Sequence, residues 1–425
     1  MIEERYRIDR QWIKRELTVG NRSFVNRMSD ISRLDDEAPA WSKWWRSYLR
    51  GARVEFDGHA IGNVSIVDLF CGCGGLTLGA QEAARAVGLR PWVCLAVDVD
   101  EEALAVYAAN FAPTRTLRAD VSSLVDFQVC GWGDGARFAY PPELLHPKLR
   151  AAKGSVDLVV AGPPCEGHSN LNNRTRRADP RNLLYLDAIA VGVAIGATAI
   201  VLENVPDIVN DRSRVLETAV GLLKGCDYET TQGVLAADLL GLAQTRKRFF
   251  LAASRAGVVP LEEIARAMAK EPASTVRWAI EDLTDTKQDS ILDVPAALSP
   301  ENRRRIDYLF DNDLYDLPDH MRPACHRNGH TYPSVYGRLR WDEPAGTITT
   351  GFVSPGRGRF VHPERRRTLT AHEAARLQGF PDWFVWCPSD HKAPSRTQLA
   401  KWIGDAVPPL LGYTAVVSVL PSFLR

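Results

Sequence analysis

This chain of 425 residues lacks net charge, paired cysteines and long apolar runs. Basic and acidic residues number 52 each, so no overall positive field indicates a nucleic-acid partner. The eight cysteines contain no CxxC pair, which excludes a small disulfide framework. The longest apolar stretch, 188–202, is too short and too rich in glycine and alanine for a membrane span. The charged first residues lack the apolar core of a signal peptide, so we expect a cytoplasmic protein without a membrane segment.

The composition is that of a globular protein, with 45% hydrophobic and 24% charged residues. Between residue 65 and about residue 255, short β-branched runs alternate with alanine-rich helical stretches. The runs lie at 64–69, 92–97, 156–161, 198–203 and 248–253, and the helical stretches at 76–87, 101–111, 183–196 and 214–224. Such alternation predicts an α/β domain with a doubly wound, mostly parallel sheet.

The regions outside this alternation divide the rest of the chain. Residues 1–63 are predicted to form a helical N-terminal extension, because Trp41, Trp44, Trp45 and Tyr48 have helical spacing. This extension packs on the main domain as a cap or, alternatively, contacts DNA or a partner. Residues 64–260 form the main domain and 261–398 a smaller one, rich in Asp, Pro and Arg. Residues 399–425 are apolar again and are expected to return to the main domain.

The run 156–161 ends in Gly162-Pro163-Pro164-Cys165. Each proline fixes its own φ and restricts the residue before it, so the loop is stiff. A cysteine at the tip of such a loop is predicted to be a nucleophile. The alternative is a small buried hydrophobe, which the polar residues 166–170 disfavour.

A glycine-rich loop follows the strand 64–67. Gly72, Gly74 and Gly75 open the next helix, where a backbone can approach a ligand closely. Asp98 ends the next strand, at about the 20-residue spacing of an acid that binds ribose hydroxyls. Asp120 ends a further short strand and is placed to meet an adenine amino group. The loop therefore predicts a nucleotide-like cofactor, with tight turns and a chance acid as the alternative.

Two more polar groups lie at predicted strand ends. Glu203 and Asn204 end the strand 198–202 before a proline turn, a suitable place for acid–base chemistry. Alternation before the strand 249–251 would put Arg246 and Arg248 on one face as an anion clamp. Ligands of open α/β sheets bind at the carboxyl ends of the strands, so these residues are predicted to form one site.

The motifs together resemble the DNA (cytosine-5-)methyltransferase family from about residue 64 to the end. The matching stretches, in order, are DLFCGCGGLTLGA, the Asp98 strand end, GPPCEGHSN, DPRNLLY, ENVP, LLGLAQTRKRFF, YGRLRWDEPAGTITT, LTAHEAARLQGFPD and IGDAVPPLLG. The resemblance implies a class I, Rossmann-like methyltransferase fold in 64–260 and a target-recognition domain in 261–398.

The resemblance also implies a role for each residue. Cys165 would add to C6 of the target cytosine, Glu203 would protonate N3, and Asn204 would help to hold the loop. Arg246 and Arg248 would hold the base and its phosphate. The residues expected to bind S-adenosyl-L-methionine are Phe70, Gly72, Gly74, Gly75, Leu76, Asp98, Val99, Asp120, Val121, Pro164, Leu184, Asp405, Ala406 and Val407. The implied partner is duplex DNA with a flipped base, together with proteins of a defence system.

The chain departs from the family pattern at Glu166, His168 and Asp405, where Gln, Phe and Asn are usual. We interpret these as tolerated drift; the alternative is an altered cofactor tail or target base. The stretch 281–320 has eleven acidic and four basic residues, a poor surface for phosphates. Phosphate contacts are therefore expected from Arg174, Arg176, Arg177, Arg181, Arg357, Arg359 and Arg365–Arg367. His320, Cys325, His326 and His330 fit no standard zinc spacing, so no metal is expected.

Two other functions are compatible with the same fold. One is methylation of cytosine C5 in RNA such as tRNA. The other is a non-catalytic DNA-binding partner subunit. The presence of Cys165, Glu203, Arg246 and Arg248 together argues against the second, since a binding subunit needs no nucleophile.

Overall fold

The computed structural model describes residues 2–56, 60–164, 183–327 and 334–424. They form an N-terminal sheet, a central sheet flanked by helices, and a C-terminal region of helices and turns. The strands and longer helices are, in chain order, β1 (Ile2–Asp9), β2 (Trp12–Val19), β3 (Arg22–Ser29), α1 (Ala40–Leu49), β4 (Glu55–Phe56), β5 (Gly62–Leu69), α2 (Gly75–Ala86), β6 (Leu89–Asp98), α3 (Glu101–Phe111), β7 (Thr116–Arg118), β8 (Val125–Asp126), β9 (Val129–Cys130), β10 (Arg137–Phe138), β11 (Glu143–Leu144), α4 (Pro147–Arg150), β12 (Leu158–Ala161), α5 (Leu184–Ile195), β13 (Ala199–Asn204), α6 (Val215–Lys224), β14 (Glu229–Ala236), β15 (Lys247–Ser254), α7 (Leu261–Ala267), α8 (Val276–Ile280), α9 (Pro300–Asp311), α10 (Ala371–Leu377), α11 (Arg396–Asp405) and α12 (Pro409–Val417).

The central sheet has seven strands in the order β14-β15-β13-β12-β5-β6-β7. Only β15 runs antiparallel to its neighbours β13 and β14. Both faces are buried: Leu158 and Val160 of β12 pack in the hydrophobic cluster that includes α2 and α3, while Val159 and Ala161 pack in the cluster that includes α5 and α6. Helices on both faces of a mostly parallel sheet make a doubly wound fold, so the predicted fold class is confirmed.

The prediction of a helical N-terminal extension is wrong for residues 2–29. These residues form an antiparallel meander of β1, β2 and β3, to which β4 adds a short edge. Strand β2 buries Ile13, Arg15, Leu17 and Val19 in the period-two pattern of a strand. The predicted helix around Trp41–Tyr48 is correct and forms α1.

The C-terminal helix α12 packs against α2 of the central domain. The helices approach closely at Gly79, where a Cβ would overlap the backbone of Pro409 and Tyr413. Between 261 and 398 the described residues form helices α7–α10 and turns, with a small apolar cluster of their own around Ile306 and Leu309 of α9. No helix in the described part of the chain is long and apolar enough to cross a bilayer.

A buried ion pair joins the N-terminal sheet to the rest of the protein. Glu4 of β1 lies 3.0 Å from the Lys270 ammonium and accepts a 2.7 Å hydrogen bond from Tyr413 of α12. Arg15 of β2 lies 5.2 Å from the centre of the Tyr413 ring. Burial by itself would raise the pKa of Glu4, but the positive charges of Lys270 and Arg15 outweigh it and lower that pKa. The sheet is therefore attached through groups that cannot be exposed or left unpaired cheaply.

We expect Glu4→Ala to lower the free energy of unfolding by about 3–5 kcal/mol, because Lys270 would stay buried without its partner. Urea unfolding of the full chain measures the change. Glu262→Ala is the matched control, since its ion pair with Arg266 is exposed and contributes little. Equal stability of the two variants would show that the N-terminal sheet is not held by this pair.

Candidate active site

The carboxyl ends of four neighbouring strands are aligned by their hydrogen-bonded register. One residue from each of β6, β5, β12 and β13 lies in the same row: Val97, Leu69, Ala161 and Leu202. The next residues along the chain therefore emerge together at the carboxyl edge: Asp98, Phe70, Gly162 and Glu203. This edge is where open α/β sheets bind their ligands, so the register brings both predicted loops and the predicted acid to one place.

The glycine-rich loop is tied to the end of β6. The N–H of Gly72 donates to Asp98 Oδ2 at 2.8 Å, and Asp98 Oδ1 accepts from the N–H of Asp100 at 2.9 Å. Gly74 precedes α2 with a φ of 97°, and a Cβ there would overlap the ring of Phe111. Only glycine suits both the backbone and the space at this position. The loop is thus held open at its end by Asp98 and closed at its base by α3.

Val407 connects the C-terminal segment to both loops. A Cβ on Gly75 would overlap the carbonyl oxygen of Val407. A Cβ on Gly162 would lie 3.9 Å from Val407 Cγ2 and 3.6 Å from Glu203 Oε2. Residues some 250 positions apart thus meet where the Gly-Pro-Pro loop begins. Cys165 itself lies outside the described residues, as do Glu166, His168 and the arginines from 174 to 181.

Glu203 is a buried acid paired with a guanidinium. Its side chain lies 2.8 Å from Arg248 Nε, and the residue is 7% exposed. Burial raises the pKa of Glu203 and outweighs the positive charges of Arg248 and Arg246, which lower it. The carboxyl therefore keeps a proton at higher pH than an ordinary glutamate does, which suits a proton donor near neutral pH.

The two arginines have different partners, which the predicted common clamp did not anticipate. Arg248 pairs with Glu203, whereas the buried guanidinium of Arg246 donates to the carbonyls of Ile348 at 2.7 Å and Gly404 at 3.1 Å. Arg246 thus fastens two distant segments to the start of β15. Asn204 accepts from the N–H of Val205 at 2.8 Å and so shapes the turn after β13.

Similarity to known proteins agrees with this geometry. The family model for C-5 cytosine-specific DNA methylases matches residues 64–418. The chain belongs to this family. The matched part starts after the N-terminal sheet, so that sheet is an addition to the family domain. The predicted family and the predicted enzyme class, DNA (cytosine-5-)methyltransferase, are confirmed.

Individual relatives show how close the similarity is. The Type II methyltransferase M1.BsuMI of Bacillus subtilis (strain 168) is 42% identical over 352 residues, covering 83% of this chain and 79% of the relative. The Type II methylase M.HgiDII of Herpetosiphon aurantiacus is 29% identical over 364 residues, covering 84% and 94%. The crystal structure of S. pombe Dnmt2 methyltransferase superposes with a TM-score of 0.57 at 17% identity, covering 84% of this chain and 99% of that one, and supports the fold alone.

The remaining residues expected at the methyltransferase cofactor site lie around the same edge with different exposure. Phe70 is half-buried at a φ of 56°, which is uncommon outside glycine. Leu76 and Val121 are buried, as are Ala406 and Val407, and Leu184 begins α5 half-buried. Four residues are exposed and can meet a ligand: Val99, Asp120, Pro164 and Asp405. Asp405 is partly neutralised by the Lys401 ammonium at 3.4 Å.

Three groups near the site were missed by sequence reasoning. Asp187 lies one turn after Leu184; burial and the charge of Asp120 raise its pKa to about 6. Burial raises the pKa of Asp68 to about 8, against a 2.6 Å hydrogen bond from Thr77. Asp68 stands first in the DLFCGCGG motif, so that motif was a usable signal. Lys401 reaches both Asp405 and Asp100, which no sequence pattern indicates.

Several arginines expected to contact phosphates are paired with the acidic stretch 281–320. Arg359 pairs with Asp316, Arg365 with Asp285, and Arg366 with Asp311. These pairs are partly exposed and therefore weak, so a phosphate can compete for the guanidinium. In the described part of the chain, no group of three or more His, Cys, Asp or Glu side chains could hold a metal ion.

The raised pKa of Glu203 gives a testable pH dependence. A folded-state pKa above the unfolded one means that Glu203 stabilises the protein below the unfolded pKa of about 4.3, and that this stability is lost as pH rises through the folded pKa. Relative to Glu203→Gln, which cannot ionise, the wild type should lose stability between mildly acidic and neutral pH. Urea unfolding across that range measures the difference. Glu262→Gln, at an exposed ion pair, should track the wild type, and the same result for Glu203→Gln would contradict the raised pKa.

Proposed function

We propose that this chain transfers a methyl group from S-adenosyl-L-methionine to C5 of cytosine in duplex DNA, through a transient bond between Cys165 and C6. The observation that carries the proposal is the shared strand edge. There the glycine loop with Asp98, the first residue of the Gly-Pro-Pro-Cys loop, and the proton-holding Glu203 come together. Family membership supplies the reaction class, and this edge supplies the groups that such a reaction needs.

The described residues fit the proposed cofactor. Asp98 offers carboxylate oxygens beside a loop whose glycines leave the backbone accessible. The surroundings are acidic, with Asp68, Asp98, Asp120 and Asp187 at the strand ends, which suits a ligand carrying a sulfonium cation. Asp68 Oδ1 is buried and has no hydrogen-bond partner among the described residues. S-adenosyl-L-methionine, when bound, supplies an electrophilic methyl group.

The residues of the chain make the cytosine reactive. C5 of cytosine is a poor nucleophile until a thiolate adds at C6 and N3 gains a proton. The Cys165 thiolate forms the bond to C6, while Glu203, held by Arg248, gives its proton to N3. After C5 has taken the methyl group, loss of the C5 proton breaks the sulfur–C6 bond. The N3 proton then returns to Glu203, which restores both side chains.

The depth of the site implies base flipping. Glu203 is 7% exposed and lies below the start of the Gly-Pro-Pro loop. N3 and C6 of a cytosine stacked within a duplex cannot reach a group buried to this degree, so the base must leave the helix. Action on DNA sets the proposed location, the cytoplasm at the nucleoid. Similarity to Type II methyltransferases supports a role in restriction-modification, alongside proteins of that defence system.

The nucleophile is tested with a duplex that contains 5-fluorocytosine at the methylated position, which bisulfite sequencing of DNA from expressing cells would first locate. The wild type should form a covalent adduct, because fluorine blocks the final proton loss. Cys165→Ser should form none and should not turn over, since a hydroxyl is hardly ionised at neutral pH. Cys130→Ser, at an exposed cysteine, is the control and should behave as wild type. Methylation of tRNA but not of duplex DNA would redirect the proposal to RNA.

The cofactor site is tested by calorimetry with S-adenosyl-L-methionine. Asp98→Ala should weaken binding by roughly 1.5–3 kcal/mol, since it removes a charge-assisted hydrogen bond. Phe70→Ala should weaken binding through lost contact with the adenine. Glu101→Ala is the matched control, because Glu101 is exposed and pairs only with exposed Arg118 among the described residues. Unchanged affinity in both Asp98→Ala and Phe70→Ala would mean that the cofactor binds elsewhere.

A further inference from the structure

A cavity of about 240 Å³ lies where the N-terminal segment meets α2 and α3. We call it the junction cavity; its lining includes Tyr48, Arg53, Leu78, Glu82, Phe111 and Trp383. Glu82 is eight residues beyond Gly74 on α2, so a rise of about 1.5 Å per residue separates them by about 12 Å. Tyr48 and Arg53 precede residue 64, where the family match begins. The cavity is therefore distinct from the methyltransferase site.

Two buried hydrogen-bond donors that line this cavity have no partner. Tyr48 is 3% exposed, and neither its Oη nor Trp383 Nε1 has a hydrogen-bond partner among the described residues. The rings hold each other in an edge-to-face contact at 6.1 Å. Burial and the charge of Glu82 raise the pKa of Tyr48, so its hydroxyl keeps its proton and remains a donor. Buried donors without partners cost free energy, which an acceptor placed between them would recover.

The lining carries more positive than negative charge. Arg85 donates to Glu82 at 2.7 Å and to Gln81 at 2.8 Å, so these charges balance. Arg53 stacks on the Trp383 ring at 3.9 Å, and no described carboxylate lies within ion-pair distance of it. One guanidinium is thus uncompensated beside two donors. Leu78 and Phe111 provide an apolar wall.

We propose that the junction cavity binds a small organic oxyanion, a phosphate monoester or a carboxylate. The anionic group accepts hydrogen bonds from Tyr48 Oη and Trp383 Nε1 and neutralises Arg53. The carbon part lies against Leu78 and Phe111, because the volume exceeds that of a bare anion. A water molecule could satisfy one donor, but it would leave the charge of Arg53 uncompensated. Phe111 also packs on Gly74, so the ligand lies one side chain away from the cofactor loop.

The test uses the full chain and glycerol 3-phosphate or butyrate as probes, at constant ionic strength. The ¹⁵N indole resonance of Trp383, assigned with Trp383→Phe, should shift and saturate. Arg53→Met should raise the half-saturating concentration about tenfold or more, and Tyr48→Phe, which removes only a hydroxyl, about threefold or more. Arg90→Met is the control, since Arg90 is exposed on β6 and does not line the cavity.

Saturation that both variants weaken supports the site, and the better probe identifies the source of the oxyanion. A shift that follows ionic strength alone, or that Arg53→Met and Tyr48→Phe leave unchanged, overturns the proposal. A crystal structure grown with the probe that shows only water on Tyr48 Oη overturns it as well. None of these measurements depends on methyl transfer, so they are independent of the function proposed above.

Discussion

The register of the hydrogen bonds between β6, β5, β12 and β13 is the constraint on which the active site depends. A slip of one residue would turn every side chain of a strand to the other face. Because both faces of this sheet are buried, such a slip would place each cluster's residues in the wrong layer. The packing of the two hydrophobic clusters therefore fixes which residue leaves each strand end. The loop that contains the nucleophile begins at the correct height because Ala161 pairs with Leu69 and Leu202.

Charge inside the protein is arranged around one acid and two arginines. Arg248 prevents the full cost of burial from acting on Glu203, yet burial still dominates. Arg246 lies two residues away but serves the backbone instead, binding the carbonyls of Ile348 and Gly404. The segment that provides Val407 is thereby held against Gly75 and Gly162. The geometry of the acid and the position of the C-terminal segment consequently depend on the same short stretch of chain.

The N-terminal sheet is joined to the family domain through charged groups rather than apolar ones alone. Glu4, Lys270 and Tyr413 bring β1, the chain after α7 and α12 together. In the acidic stretch 281–320, several aspartates instead neutralise arginines that would otherwise face solvent. Those surface pairs are weak enough for phosphates to displace, whereas the buried pair is not. The same chemistry thus gives a permanent attachment in one place and an exchangeable surface in another.

The sequence by itself determined the central sheet, the family and the position of Glu203, because local alternation and the order of the motifs carry that information. The predicted runs at 64–69 and 248–253 fall within β5 and β15. It did not reveal the N-terminal sheet, since Glu4, Arg15 and Asn26 occupy the buried face where a pattern expects apolar residues. Nor did it indicate the partners of Arg246 or the raised pKa of Asp187. Those depend on groups far away in the chain, and only the tertiary structure brings them within reach and removes the water between them.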